Sequence, residues 1–173
     1  MKTLLATILL IVSIYANEIS IPNSFTANFK QLITNRHGKK IKYRGKVYFN
    51  APDTLKWIYK SPTKKEVCSS KGKVVVIDHD LEQASYYTID KSFNLVKVLK
   101  RAKKHKGNVY VTKYKGKYYT IVLNKRGQVN QIAYKDNLDN TVNLMFTHIK
   151  YRNKFLPKSK FICAKPASYD SVY

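Results

Sequence analysis

Acidic side chains are scarce in this chain: 10 Asp and Glu stand against 33 Lys and Arg, a formal net charge of +23 spread along the whole length. The signatures of common chemistries are missing as well. There is no C-x-x-C pair, which argues against a thiol oxidoreductase. His37, His79, His105 and His148 are scattered, and none stands in an H-E-x-x-H context. Walker-type phosphate loops and the G-x-S-x-G nucleophile turn are absent too. The longest apolar block, residues 4–14 with Thr7 and Ser13 inside it, is well short of the roughly 20 residues that a membrane helix needs. Cysteine is limited to Cys68 and Cys163 and tryptophan to Trp57.

That apolar run follows Met1-Lys2-Thr3 and ends in Tyr15-Ala16 before polar Asn17 and Glu18. One positive charge, a short hydrophobic region and a small residue at its end describe a secretory signal peptide. Residues 1–16 are therefore expected to be removed by cleavage after Ala16, leaving 17–173 as one exported domain with a single core. Export argues against a chromosomal or ribosomal role for the basic charge. It leaves docking to anionic lipid surfaces or acidic partner proteins, or merely a solvated basic surface. In an oxidising compartment, Cys68 and Cys163 are expected either as a disulfide or as two buried thiols.

Between two prolines, Pro52 and Pro62, the chain alternates Leu55, Trp57 and Tyr59 with Thr54, Lys56 and Lys60. A strand of period two throws the three large side chains to one face. Such a face either fills a core or lines a cavity. Similar alternation puts Phe25, Ala27, Phe29, Gln31 and Ile33 on one side of a first strand, and Ile41, Tyr43, Gly45, Val47 and Phe49 on one side of a second. Further strands are predicted at 67–70, 74–77 (including Val76), 81–89, 108–114, 117–123, 128–134, 141–151 and 161–164, most of them separated by short Gly or Asn turns. Residues 92–102 differ: Phe93, Val96, Val98 and Leu99 recur at helical spacing, with Ser92 available as an N-cap, which predicts a short amphipathic helix. Many strands on short turns imply one antiparallel sheet, strongly curved or nearly closed.

Two local patterns have a bland reading that is preferred. Asp78-His79-Asp80 superficially resembles an acid–base or metal cluster, but neighbouring strand residues face opposite ways, and the triplet reads as the turn before Leu81. The run from Lys113 to Tyr119 interleaves cations with tyrosines as single-strand nucleic-acid binders do, yet it reads as a basic hairpin flank with packed tyrosines.

Read in order, several segments resemble the LolA family of periplasmic lipoprotein carriers. They are Phe25-Thr26-Ala27-Asn28-Phe29-Lys30-Gln31, Gly45-Lys46-Val47-Tyr48-Phe49-Asn50-Ala51-Pro52, Leu55-Lys56-Trp57-x-Tyr59-x-x-Pro62, Asp78-His79-Asp80-Leu81-Glu82-Gln83-Ala84 and Pro166-Ala167-Ser168-Tyr169-Asp170-Ser171-Val172. The resemblance implies a mainly β, single-domain unclosed antiparallel barrel with a short lid helix over an apolar cavity. Phe29, Val47, Phe49, Leu55, Trp57, Tyr59 and Val76 would line that cavity, and Phe93, Val96 and Leu99 would belong to the lid. It implies no enzyme activity, cofactor, metal or nucleic acid, and a monomer in the periplasm. The implied partners are triacylated lipoproteins, an inner-membrane ATP-binding-cassette release complex of the LolCDE type, and a LolB-type outer-membrane receptor or direct delivery to that membrane.

Three departures from the family stand out. Only residues 17–24 precede the first strand, with Pro22 among them, so the usual first lid helix is shortened or missing. Ala51 occupies the position of an arginine thought to latch the lid. Ala167-Ser168 replaces the glycine of the closing segment. The rival expectations are a lipid sensor or store on the same fold, and an exported basic protein that binds polyanions.

Overall fold

Alternation of apolar and polar residues builds the sheet. The computed structural model describes residues 19–88 and 94–173. In chain order these form β1 (Ser24–Thr34), β2 (Lys40–Asn50), β3 (Thr54–Ser61), β4 (Lys65–Ser70), β5 (Lys73–Asp78), β6 (Gln83–Thr88) and a single helix, α1 (Leu95–Arg101). After it come β7 (Lys103–Lys106), β8 (Val109–Tyr114), β9 (Lys117–Leu123), β10 (Val129–Lys135), β11 (Thr141–Arg152), a 3-10 turn at Lys158–Phe161 and β12 (Asp170–Val172). All twelve strands belong to one sheet in the order β12-β6-β5-β4-β3-β2-β1-β11-β10-β9-β8-β7. Among the described residues the end strands β12 and β7 do not pair with each other, so the sheet is a curled, unclosed barrel.

The long strands β1 and β11 pair at its centre, from Thr34 opposite Thr141 to Ser24 opposite Arg152. Curling brings side chains of β3 towards β11: the Trp57 and Phe146 rings lie 6.3 Å apart across two intervening strands. The concave face is the one that alternation predicts, with Phe25, Ala27, Phe29, Val47, Phe49 and Leu55 all buried in one cluster.

Gly45 shows how closely this face is packed. Its strand register shifts against β3 at this point, between Arg44 and Gly45. A Cβ built on Gly45 would lie 1.9 Å from the Ile58 carbonyl oxygen and 2.8 Å from a Phe29 ring carbon. The first contact is backbone, so a rotamer change cannot relieve it. Gly45→Ala is expected to cost about 3 kcal/mol or more by forcing β2 from β3, read as a lower urea midpoint; an unchanged midpoint would contradict this packing.

Three expectations change. The strand predicted at 161–164 does not form. There the Ile162 carbonyl accepts a hydrogen bond from Lys56 Nζ at 2.6 Å, and Cys163 is bridged to Cys68 with Cα atoms 5.9 Å apart. Both anchors lie on the convex face, where Lys56 and Cys68 are direct cross-strand neighbours. The backbone therefore crosses the strands instead of running beside one. The segment begins this crossing at Asn153 and Lys154, whose carbonyls accept from Asn23 and Ser24. Leu156 then exchanges two hydrogen bonds with Asn50. The strand that does form is β12, parallel to β6, which covers that edge of the sheet.

Next, a strand forms within the basic run 101–106, where none was predicted. After Arg101 ends the helix, Lys103–Lys106 forms the other edge strand, exposed throughout, and lysines on an open edge discourage pairing with another chain. Last, the sixth strand starts at Gln83 rather than at residue 81, because Asp78 closes a turn by accepting from the Asp80 and Leu81 amides. Asp80 meanwhile accepts from the Lys64 amide, so both carboxylates of the Asp78-His79-Asp80 triplet hold the loop.

Candidate functional site: an apolar cavity under a short helix

Strand β3 supplies the floor of a cavity of about 440 Å³. Leu55, Trp57 and Tyr59 line it from β3, with Phe25, Val67 and Val74 beside them; Tyr119, Ile132, Tyr134, Leu144 and Phe146 face them from β9, β10 and β11. At the rise of a strand, Leu55 to Tyr59 spans about 13 Å, which makes the space elongated along the strands. Polar groups mark its ends: Asp53, Ser70 and Lys73 where β3 and β5 begin, and Lys117 with the Gln31 amide towards their far ends. The wall itself is almost wholly hydrocarbon and aromatic ring.

The tyrosines add no charge. Burial pushes the Tyr134 phenol up to about 12, with the neighbouring Tyr119 and Asp136 adding to the effect. Burial likewise drives Tyr59 far above the ordinary phenol range, with Tyr134 and Tyr43 contributing. Tyr59 donates its proton to Gln31 Oε1 at 3.3 Å. Outside the main cavity, burial raises Tyr151 to about 12, offset in part by the Val129 amide, which donates to its oxygen at 3.0 Å. An unfolded tyrosine ionises near 10, so these groups favour the folded state fully below that pH and lose the advantage as pH rises towards 12. Stability is expected to fall between pH 10 and 12 by about 2 kcal/mol for each of Tyr134 and Tyr151. A flat unfolding free energy over that range would contradict their burial.

Helix α1 borders one side of the space through Leu95. Asn94 caps it by accepting from the Lys97 amide at 2.8 Å, and Lys100 and Arg101 sit favourably in its last turn. Leu95 lines the main cavity, while Val96 and Leu99 border a second void of only about 20 Å³ with Ile21 and Pro22. Leu95, Val98 and Leu99 are buried. Seating three such side chains is worth about 5–9 kcal/mol before ordering costs, enough to hold a seven-residue helix in place. Residues 19–23, which precede β1, are not helical; Ile19 and Ile21 pack on the core in an irregular stretch.

The sequence-predicted cavity residues separate into three groups. Leu55, Trp57 and Tyr59 stand on the wall. Phe29, Val47 and Phe49 share the concave face but are almost fully buried and do not border the main cavity. The Phe29 ring is covered by Trp57 and Tyr59, at 5.0 and 5.1 Å between centroids. Val76 is on the same face by register, opposite Val67, but the cavity follows the row Leu55, Ser69, Val74, so Val74 borders it instead. Val96 and Leu99 lie in the helix as expected; Phe93 and Ser92 fall outside the described residues, and Asn94 is the cap.

Sequence reasoning missed Leu95 and the whole opposite wall. Ile132 with Tyr134, and Leu144 with Phe146, obey the same two-residue period as Leu55 and Trp57. Periodicity identifies that shared face, but only the curl of the sheet shows that it meets β3.

The profile of the family described as "Outer membrane lipoprotein carrier protein LolA" matches residues 22–136. The outer-membrane lipoprotein carrier protein of Campylobacter jejuni is 30% identical over 171 residues, 99% of this chain and 98% of that protein. The protein of the same name from Helicobacter hepaticus is 29% identical over 149 residues, 86% of this chain and 83% of the other. A crystal structure of an uncharacterized conserved protein from Thermus thermophilus shares the fold, with a TM-score of 0.53 at 11% identity over 88% of this chain and 91% of that one. A family profile covering most of the chain and a relative aligned end to end lead to one conclusion: the chain belongs to the LolA family of outer membrane lipoprotein carriers.

Proposed function

We propose that this chain is a periplasmic carrier that holds the acyl chains of lipoproteins non-covalently in the cavity beneath α1 and releases them unchanged. The observation that carries the reading is the elongated apolar space of about 440 Å³ that α1 borders through Leu95. Acyl chains need dry volume and no directed bonds, and each buried CH₂ contributes about 0.8 kcal/mol. A chain of about sixteen carbons is then worth roughly 12 kcal/mol as an upper figure. A rigid pocket that recovered all of it could not let go of its cargo.

The helix supplies the opposing free energy. Cargo that displaces Leu95, Val98 and Leu99 forfeits their burial, so the net affinity is the difference between two large hydrophobic terms. A receptor needs only a somewhat better pocket. No group that reacts covalently is required, and the neutral tyrosines suit holding rather than chemistry. In this reading cargo arrives from an inner-membrane release complex of the LolCDE type and leaves to a LolB-type receptor or to the outer membrane itself.

Affinity-tagged protein recovered from the periplasm is expected to bring down an acylated lipoprotein, and to leave behind the same lipoprotein made without its acylated cysteine. Equal capture of both forms would show recognition of the polypeptide and overturn the reading.

A further inference from the structure

We propose that three neighbouring hairpin tips at the Lys117 end of the cavity form a docking surface for bilayers that contain anionic phospholipid. Strand order places β2-β1-β11-β10-β9-β8 side by side, so the turns β1–β2, β10–β11 and β8–β9 lie together at one end of the sheet. The register agrees: Lys40 pairs with Thr34, Thr34 with Thr141, and Thr141 with Lys135.

Each tip presents one large apolar side chain among cations. Leu138 in the β10–β11 turn is 71% exposed, Tyr118 beside the β8–β9 turn 71%, and Ile41 beside the β1–β2 turn 40%. Around them stand Lys39, Lys40, Lys42, Lys113, Lys115 and Lys135. The acidic residues at these tips are Asp136 and Asp139. Asp136 is committed to its turn, accepting from the Leu138 and Asn140 amides and from the Asn140 side chain. At the opposite end of the sheet, the turns 51–53, 71–72, 107–108 and 124–127 carry no exposed large apolar residue among the described residues, and Phe155, exposed there, lies on the segment that follows β11 rather than on a hairpin tip.

Nucleic acid or an acidic protein would be served by the lysines alone. Isolated apolar protrusions within a basic ring fit the interface of a charged bilayer, where tyrosine and leucine enter the headgroup boundary and lysines remain at the phosphates. Lys113 Nζ lies 5.1 Å from the Tyr118 ring centre, so charge and ring meet the surface together. Lys117 both follows the β8–β9 turn and lines the cavity, which sets one end of that space against the docked membrane. This use as a delivery face rests on the carrier reading; docking itself is read on the empty protein.

The test is co-sedimentation of the exported chain with vesicles, either phosphatidylcholine alone or equal parts phosphatidylcholine and phosphatidylglycerol. Binding is expected only to the anionic vesicles. The pair Leu138→Ser with Tyr118→Ser should weaken it about tenfold, and Lys39, Lys40 and Lys42 all changed to Gln about a hundredfold. All these positions are exposed, so both variants should unfold at the parental temperature and still capture lipoprotein. Equal binding to both vesicle types, or binding unchanged by either variant, would overturn the proposal. Binding that depends on the lysines but not on Leu138 and Tyr118, and that DNA matches, would also overturn it and assign the surface to an acidic macromolecule. Loss of lipoprotein capture with vesicle docking intact would instead count against the carrier reading alone.

Discussion

Leu55→Glu should abolish lipoprotein capture while leaving a folded protein. Leu55 is 6% exposed and stands on the cavity wall at the Asp53 end. In the empty protein a carboxylate there can turn into the cavity and keep water. Once acyl chains fill the space, that hydration is lost, and an unpaired buried charge costs at least several kcal/mol. Capture should therefore drop by a hundredfold or more, since each 1.36 kcal/mol is a factor of ten. Val74→Glu, on a less enclosed part of the same wall, makes the same prediction and guards against a folding defect at Leu55. Normal capture by a folded Val74→Glu protein would show that cargo does not occupy this space.

The second large effect concerns stability. The Cys68–Cys163 bridge closes a loop with a sequence separation of 95. In the chain-entropy model that constraint is worth about 4–5 kcal/mol, a large share of the roughly 5–15 kcal/mol that holds a domain together. Around it, Lys56 bonds the Ile162 carbonyl and pairs with Glu66 Oε2 at 2.7 Å, so the bridge sits beside a partly buried ion pair. Cys163→Ser should lower the urea midpoint sharply and loosen the C-terminal segment. Loss of β12 would then uncover the edge of β6, and aggregation should rise. A midpoint unaffected by the substitution and by reducing agent would mean that the bridge does not form in solution.

How much of this was legible beforehand depends on the kind of signal. The alternation of Phe25, Phe29, Val47, Phe49, Leu55 and Trp57 correctly placed a single concave face, because a strand has only two sides. It did not separate Trp57, which meets open space, from Phe29 beneath it. That distinction depends on which ring overlies which. The helix was readable from Val96, Val98 and Leu99, yet the residue that enters the main cavity is Leu95, set by the angle at which the helix lies. The C-terminal region misled most. Phe161 to Ala164 has strand-like composition, but a disulfide and the Lys56 hydrogen bond hold it across the sheet. Short β12 has only three residues, too few for any pattern. The corrections come from contacts far apart in the chain, Lys56 with Ile162, Cys68 with Cys163 and Gln83 with Asp170, which no local window contains.

Native mass spectrometry of the protein released gently from the periplasm addresses the central claim most directly. The carrier account predicts a population bearing an acylated lipoprotein, and its disappearance in the Val74→Glu protein. A uniformly unloaded mass, with no acylated species recovered even when release of cargo to the outer membrane is blocked, would contradict it.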